Sequence, residues 1–121
     1  MKLAVVGSRG FTDIEVFKET LEDYLSENKI WPTLIISGGA GGVDTLAELW
    51  AKEMSIPTKI FKADWNTHGK AAGMLRNTTI VDTADKVIAF WDGTSRGTKD
   101  SINKAKVSKK LLIIFNTKTN E

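Results

Sequence analysis

Five short apolar runs recur along the chain, at residues 2–6, 33–37, 58–61, 86–91 and 110–115, and three of them run directly into glycine-rich loops. Between the runs lie stretches of helical periodicity. Strands alternating with helices at this spacing close only into a parallel sheet with right-handed crossovers. The runs are apolar throughout rather than alternating, as expected of strands covered by helices on both faces. The expected fold is therefore a Rossmann-like three-layer α/β/α sandwich with a five-stranded parallel sheet. The expected strand order is 3-2-1-4-5, which puts the topological switch point between the first and fourth strands.

The helical stretches have their own signals. Thr12 and Glu15 have capping-box spacing, so a helix is expected to start there. Ile14, Phe17, Leu21 and Tyr24/Leu25 give it an apolar face, and it ends near Asn28, before Trp31-Pro32. A second helix carries Val43, Leu46, Ala47, Trp50, Ala51 and Met54 on one face, and Ile56-Pro57 stops it. The spacing predicts a third over about 71–82 and a last one carrying Thr98, Ile102 and Ala105. One domain over residues 1–121 accommodates all of this, with 116–121 as a frayed tail.

Composition excludes several classes. With no cysteine, disulfides and thiolate metal sites are out, and a lone His68 in a polar loop builds no metal centre. No apolar run is long enough to span a bilayer, and residues 1–7 are too short for a signal peptide, so a cytoplasmic protein without membrane contact is expected. The net charge of +2 argues against nucleic acid as the partner, although the first helix is acidic and the C-terminal end basic. Pairing into a homo-oligomer is compatible with so small a sheet, but no residue pattern identifies an interface.

Ligands of open parallel sheets bind beyond the carboxyl ends of the strands. Three such ends carry glycine loops here: Gly7-Ser8-Arg9-Gly10, Ser37-Gly38-Gly39-Ala40-Gly41-Gly42-Val43-Asp44 and Gly93-Thr94-Ser95-Arg96-Gly97-Thr98. Glycine lets the backbone approach an anion closely, and amides at the following helix N-terminus are unpaired. A phosphate is expected to take several amides from Gly39 to Val43, with Arg9 and Arg96 adding charge-assisted bonds. The P-loop, the dinucleotide fingerprint and the nucleophile elbow are all absent.

Two roles are open to Asp44, in the first turn after the loop. It complements the helix dipole, or it accepts a hydrogen bond from a ribose or a base. Glu48, one turn further on, is a solvent-facing helix residue or a general acid/base. Arg76 either snorkels to the surface or reaches into the crevice. Trp65 and Trp91 either stack on a base or pack in the core.

Taken together, Val-Val-Gly-Ser-Arg (5–9), Ser-Gly-Gly-Ala-Gly-Gly-Val-Asp-Thr-Leu-Ala (37–47), Ala-Asp-Trp (63–65), Gly-Met-Leu-Arg-Asn (73–77) and Ala-Phe-Trp-Asp-Gly-Thr-Ser-Arg-Gly-Thr (89–98) resemble the YspA/YpsA-like branch of the SLOG superfamily. That superfamily includes the Lonely Guy phosphoribohydrolases and the Rossmann-like domain of DNA-processing protein A. The resemblance implies a nucleotide-type ligand held by Gly7, Ser8, Arg9, Gly38, Gly39, Gly41, Gly42, Asp44, Arg76 and Asn77, and more loosely by Ser95, Gly97 and Thr98. Residues 41–48 also resemble the Lonely Guy motif P-G-G-x-G-T-x-x-E, without its proline and with Asp44 in place of its last glycine.

Three functions follow as expectations. The first is binding of a nucleotide or nucleotide-derived ligand, as a sensor or a sink, with no further cofactor. The second is hydrolysis of a nucleotide N-glycosidic bond, with Glu48 and Asp44 as catalytic residues. The third is single-stranded DNA binding.

Overall fold

The computed structural model describes residues 1–117. The chain runs β1 (Lys2–Gly7), α1 (Ile14–Glu27), β2 (Leu34–Ser37), α2 (Val43–Glu53), β3 (Thr58–Ile60), α3 (Trp65–His68), a 3-10 turn (Gly69–Ala71), α4 (Ala72–Thr83), β4 (Lys86–Trp91), α5 (Arg96–Val107) and β5 (Leu111–Asn116). The five strands are all parallel in the order β3-β2-β1-β4-β5. This is the expected Rossmann-like topology, with the switch point between β1 and β4.

Alternation along β1 sorts the core into two layers. Leu3 and Val5 face α1 and α2, where Phe17, Leu21, Ala47 and Trp50 cover them together with Ile35 and Phe90. Ala4 and Val6 face α4 and α5, under Ile80, Val81, Ile102 and Ala105. The central strands are thus buried on both sides, which is why they are apolar without interruption.

The edge departs from the expectation. Thr58, Lys59 and Ile60 of β3 are exposed, because this short strand pairs only with β2. Met54, expected on the apolar face of α2, is half exposed at that helix's end. Helix α1 is capped by Asp13, whose Oδ1 accepts from the Val16 amide at 3.2 Å, rather than by the Thr12–Glu15 pair. The polar stretch after β3 forms a four-residue helix, α3, closed by Asp64 Oδ1 accepting from Thr67 N. Of the expected tail, Asn116 belongs to β5 and the Thr117 amide donates to Trp91 O at 3.0 Å; residues 118–121 lie outside the described residues. Among the described residues no helix is long and apolar enough to cross a membrane.

Candidate functional site

The carboxyl ends of β1, β2 and β4 meet at the switch point, and the three glycine loops interlock there. Ser8 is the hub. Its amide donates to Phe90 O at 3.0 Å, its hydroxyl accepts from Asp92 N at 3.1 Å, and its carbonyl accepts from Val43 N at 3.2 Å. One buried serine therefore ties the β1, β2 and β4 loops to each other. Two glycines permit this approach. A Cβ on Gly7 would stand 2.5 Å from the Phe90 carbonyl oxygen, and one on Gly42 (φ +66°) would overlap the carbonyl oxygens of Ser8 and Arg9.

The interlocking changes which amides are available. The expectation was a row of free donors from Gly39 to Val43, but three of the five are already engaged. Gly39 N donates to Ser37 Oγ at 3.3 Å, Ala40 N to Asp44 Oδ2 at 3.1 Å, and Val43 N to Ser8 O. Only the amides of Gly41 and Gly42 have no partner among the described residues.

Inside the ring of loops lies a cavity of about 300 Å³. Gly7, Arg9, Gly38, Asp44, Arg76 and Asn77 line it, with Asp92 and Ser95 from the loop after β4 and Gly97, Thr98 and Ser101 from α5. Arg76 reaches across from α4. Its Nη1 donates to Gly38 O at 2.7 Å and its Nε to Asn77 Oδ1 at 2.9 Å. Asn77, itself buried, donates to Gly97 O at 3.1 Å and Asp100 Oδ2 at 3.2 Å, locking α4 to the start of α5. Ser95 and Thr98 share a hydroxyl–hydroxyl bond of 3.2 Å.

Electrostatics separates the carboxylates. Burial pushes the Asp44 carboxyl above its ordinary range, with the Ala40 amide and the Arg76 charge pulling the other way. Burial likewise lowers the Arg76 guanidinium, while Asp44 raises it. A guanidinium so shifted still carries its proton at neutral pH. Asp92 is held below the usual carboxylate range by the amides of Ser95 and Thr94, which its Oδ1 accepts at 2.8 and 2.9 Å.

The remaining expected residues fall elsewhere. Glu48 Oε2 accepts from Ser37 Oγ at 2.7 Å and is not among the residues lining the cavity, so it braces the β2 loop from behind. Ser8 and Gly42 likewise shape the loops without lining the cavity. Arg96 is exposed outside it. Trp91 donates its indole N–H to Ser95 O at 3.0 Å and packs against the core, whereas Trp65 is half exposed. Arg9 has no hydrogen bond or ion pair among the described residues, and His68 is exposed. The described residues hold no cluster of metal-ligating side chains.

Sequence reasoning passed over Ser101 and Asp92. Ser101 is 2% exposed and lines the cavity. Its spacing three residues after Thr98, on the apolar side of α5, was the available signal.

A family model described as YspA, cpYpsA-related SLOG (YAcAr) matches residues 1–68. The Gene 61 protein of Mycobacterium phage D29 is 32% identical over 123 residues, spanning 97% of this chain and 98% of that protein. Among solved structures, DNA processing protein A from Helicobacter pylori superposes with a TM-score of 0.69 at 24% identity, over 100% of this chain and 67% of that one.

Proposed function

The chain belongs to the YspA/cpYpsA-related SLOG family, and on that premise we propose that its crevice binds a nucleotide or nucleotide-derived small molecule, as a sensor or sink for it. The observation that carries this reading is the unengaged amide of Gly41 beside Arg9 and Arg76, all three lining one pocket that adjoins the inner cavity. Amides at a helix N-terminus and a guanidinium are the usual partners of a phosphate. Arg9 forms no hydrogen bond or ion pair among the described residues, which leaves its guanidinium for a ligand.

A thermal-shift screen against nucleoside monophosphates, cyclic nucleotides and ADP-ribose tests it. A ligand at 100 times its Kd adds about 2.7 kcal/mol of stability. The shift should be lost in Arg9→Ala, whose own melting temperature should stay unchanged. No shift with any nucleotide would sink the proposal.

Two other readings each have one observation in support. The raised pKa of Asp44 in the cavity suits a general acid/base for N-glycosidic hydrolysis. Glu48 would have to leave Ser37 to take part. Freed base that persists in Asp44→Asn removes this mechanism. The second is single-stranded DNA binding, which DNA processing protein A from Helicobacter pylori performs. A net charge of +2 supports it poorly. An oligothymidylate whose affinity falls steeply with salt would favour it over a small molecule.

A further inference from the structure

Helices α1 and α5 cover opposite faces of the sheet, and their solvent sides carry opposite charge. Phe17, Leu21 and Leu25 turn α1 onto the core, which leaves Glu15, Glu19, Asp23 and Glu27 exposed in one row at four-residue spacing. The one cation of α1, Lys18, is taken by Glu53 of α2 at 2.6 Å. In α5, Ile102 and Ala105 face the core, and Lys99, Asn103 and Lys106 point outward, with exposed Lys109 just beyond the helix. The one carboxylate of α5, Asp100, is taken by Lys104 at 2.8 Å. A net charge of +2 therefore conceals a plate with an acidic side and a basic side. Like charges at four-residue spacing weaken a helix, and α1 ends on Glu27 with no basic residue in its last turn, against its dipole. An opposing basic surface relieves both.

Each side also presents apolar surface among its charges. On the acidic side a groove of about 350 Å³ runs between α1 and α2, formed by Leu25, Ile30, Trp50 and Ile56 and flanked by Trp31 and Met54. The Trp50 indole N–H donates to Glu22 Oε1 at 3.0 Å, which fixes one wall. Trp31 is 72% exposed and belongs to neither core cluster. Exposed tryptophans are frequent anchors of protein interfaces. On the basic side Val107, in the last turn of α5, is 85% exposed, and it borders a smaller groove lined by Thr78 and Val81 of α4.

An apolar socket rimmed by carboxylates and an apolar knob among lysines thus stand on opposite faces of one chain. From this complementarity we propose that copies of the chain stack head to tail, the α1/α2 face of one against the α4/α5 face of the next. Val107 enters the groove beside Trp31, and the lysines of α5 lie along the carboxylates of α1. A two-fold pairing through either face would set like charges together. The head-to-tail contact joins two different surfaces, so each end of a stack keeps one of them free and growth passes beyond a dimer. The contact lies outside the crevice and is independent of the nucleotide reading.

Sedimentation velocity of the intact protein tests it. At about 0.01 M salt the weight-average sedimentation coefficient should climb with protein concentration past that of a dimer. At about 1 M salt, where the screening length shrinks from about 30 Å to about 3 Å, it should fall back towards that of the monomer. Val107→Glu and Trp31→Ala should each weaken association at least about tenfold. Both side chains are exposed, so both variants should keep the melting temperature of the unaltered chain. Mixing the two variants separates head-to-tail from two-fold assembly. Val107→Glu retains the groove and Trp31→Ala retains the valine, so the mixture should form one-to-one dimers and nothing larger. An unaltered chain that stays monomeric at low salt would overturn the inference and leave the acidic groove to a basic partner protein. Association that salt strengthens, that stops at a dimer, or that both variants leave unchanged would overturn it too.

Discussion

Gly42→Ala should break the interlock of the loops. Gly42 has φ +66° and ψ −126°, a conformation that side-chain-bearing residues occupy at a cost of about 1–3 kcal/mol. Its added methyl would also overlap the carbonyl oxygens of Ser8 and Arg9, which are backbone atoms and cannot swing aside. Forcing them apart adds about 1–3 kcal/mol and stretches the Val43 N to Ser8 O bond, 3.2 Å in the native fold. The sum is about 3 kcal/mol or more, a large part of the roughly 5–15 kcal/mol that holds a typical domain together. With a urea m-value of about 1–3 kcal/mol/M, the unfolding midpoint should fall by about 1–3 M. Gly41→Ala is the control. Its Cβ meets nothing within 4 Å and its φ is not positive, so its unfolding free energy should stay within about 1 kcal/mol of the native value. Equal midpoints for the two variants would refute the claim that Gly42 is required by backbone contact rather than by composition.

Further outcomes follow from the same geometry. Asn77→Ala leaves Gly97 O without its donor, Arg76 Nε without its acceptor and Asp100 with Lys104 alone, and should cost about 2–3 kcal/mol in urea unfolding, loosening α4 from α5; an unchanged midpoint would deny Asn77 that role. Ser8→Ala removes the acceptor of the Asp92 amide and should lower Tm by several degrees, about 1–3 kcal/mol, a drop that scanning calorimetry resolves. Because burial raises the folded-state pKa of Asp44, the folded chain binds its proton more tightly than the unfolded one. That contribution to stability is present below the unfolded pKa and is lost as pH rises through the raised folded value. Asp44→Asn should therefore erase it, and the difference in unfolding free energy between native and variant should favour the native chain increasingly as pH falls. A difference constant from pH 4 to pH 7 would contradict the burial of that carboxyl.

The strands and their order were legible because buried parallel strands must be apolar, and because one glycine-rich loop follows each strand that reaches the switch point. The hidden parts depend on contacts between distant residues. Nothing near Val43 in sequence says that Ser8, 35 positions earlier, supplies the carbonyl that takes its amide, so the loop looked richer in free donors than it is. The same holds for Glu48, which sits at catalytic-motif spacing but faces Ser37. Helix α3 is four residues long, too short for any periodicity, and its start depends on one Asp64 contact. The two tryptophans carry the same sequence signal and separate only in three dimensions, Trp91 into the core and Trp65 onto the surface.

The most direct test of the account is an amide-resolved NMR titration of the protein with nucleotides. If the crevice holds a phosphate as described, the resonance of Gly41 should move first and furthest, together with the guanidinium signals of Arg9 and Arg76. Saturable binding that leaves that glycine amide unmoved, or shifts confined to the opposite end of the sheet, would contradict it.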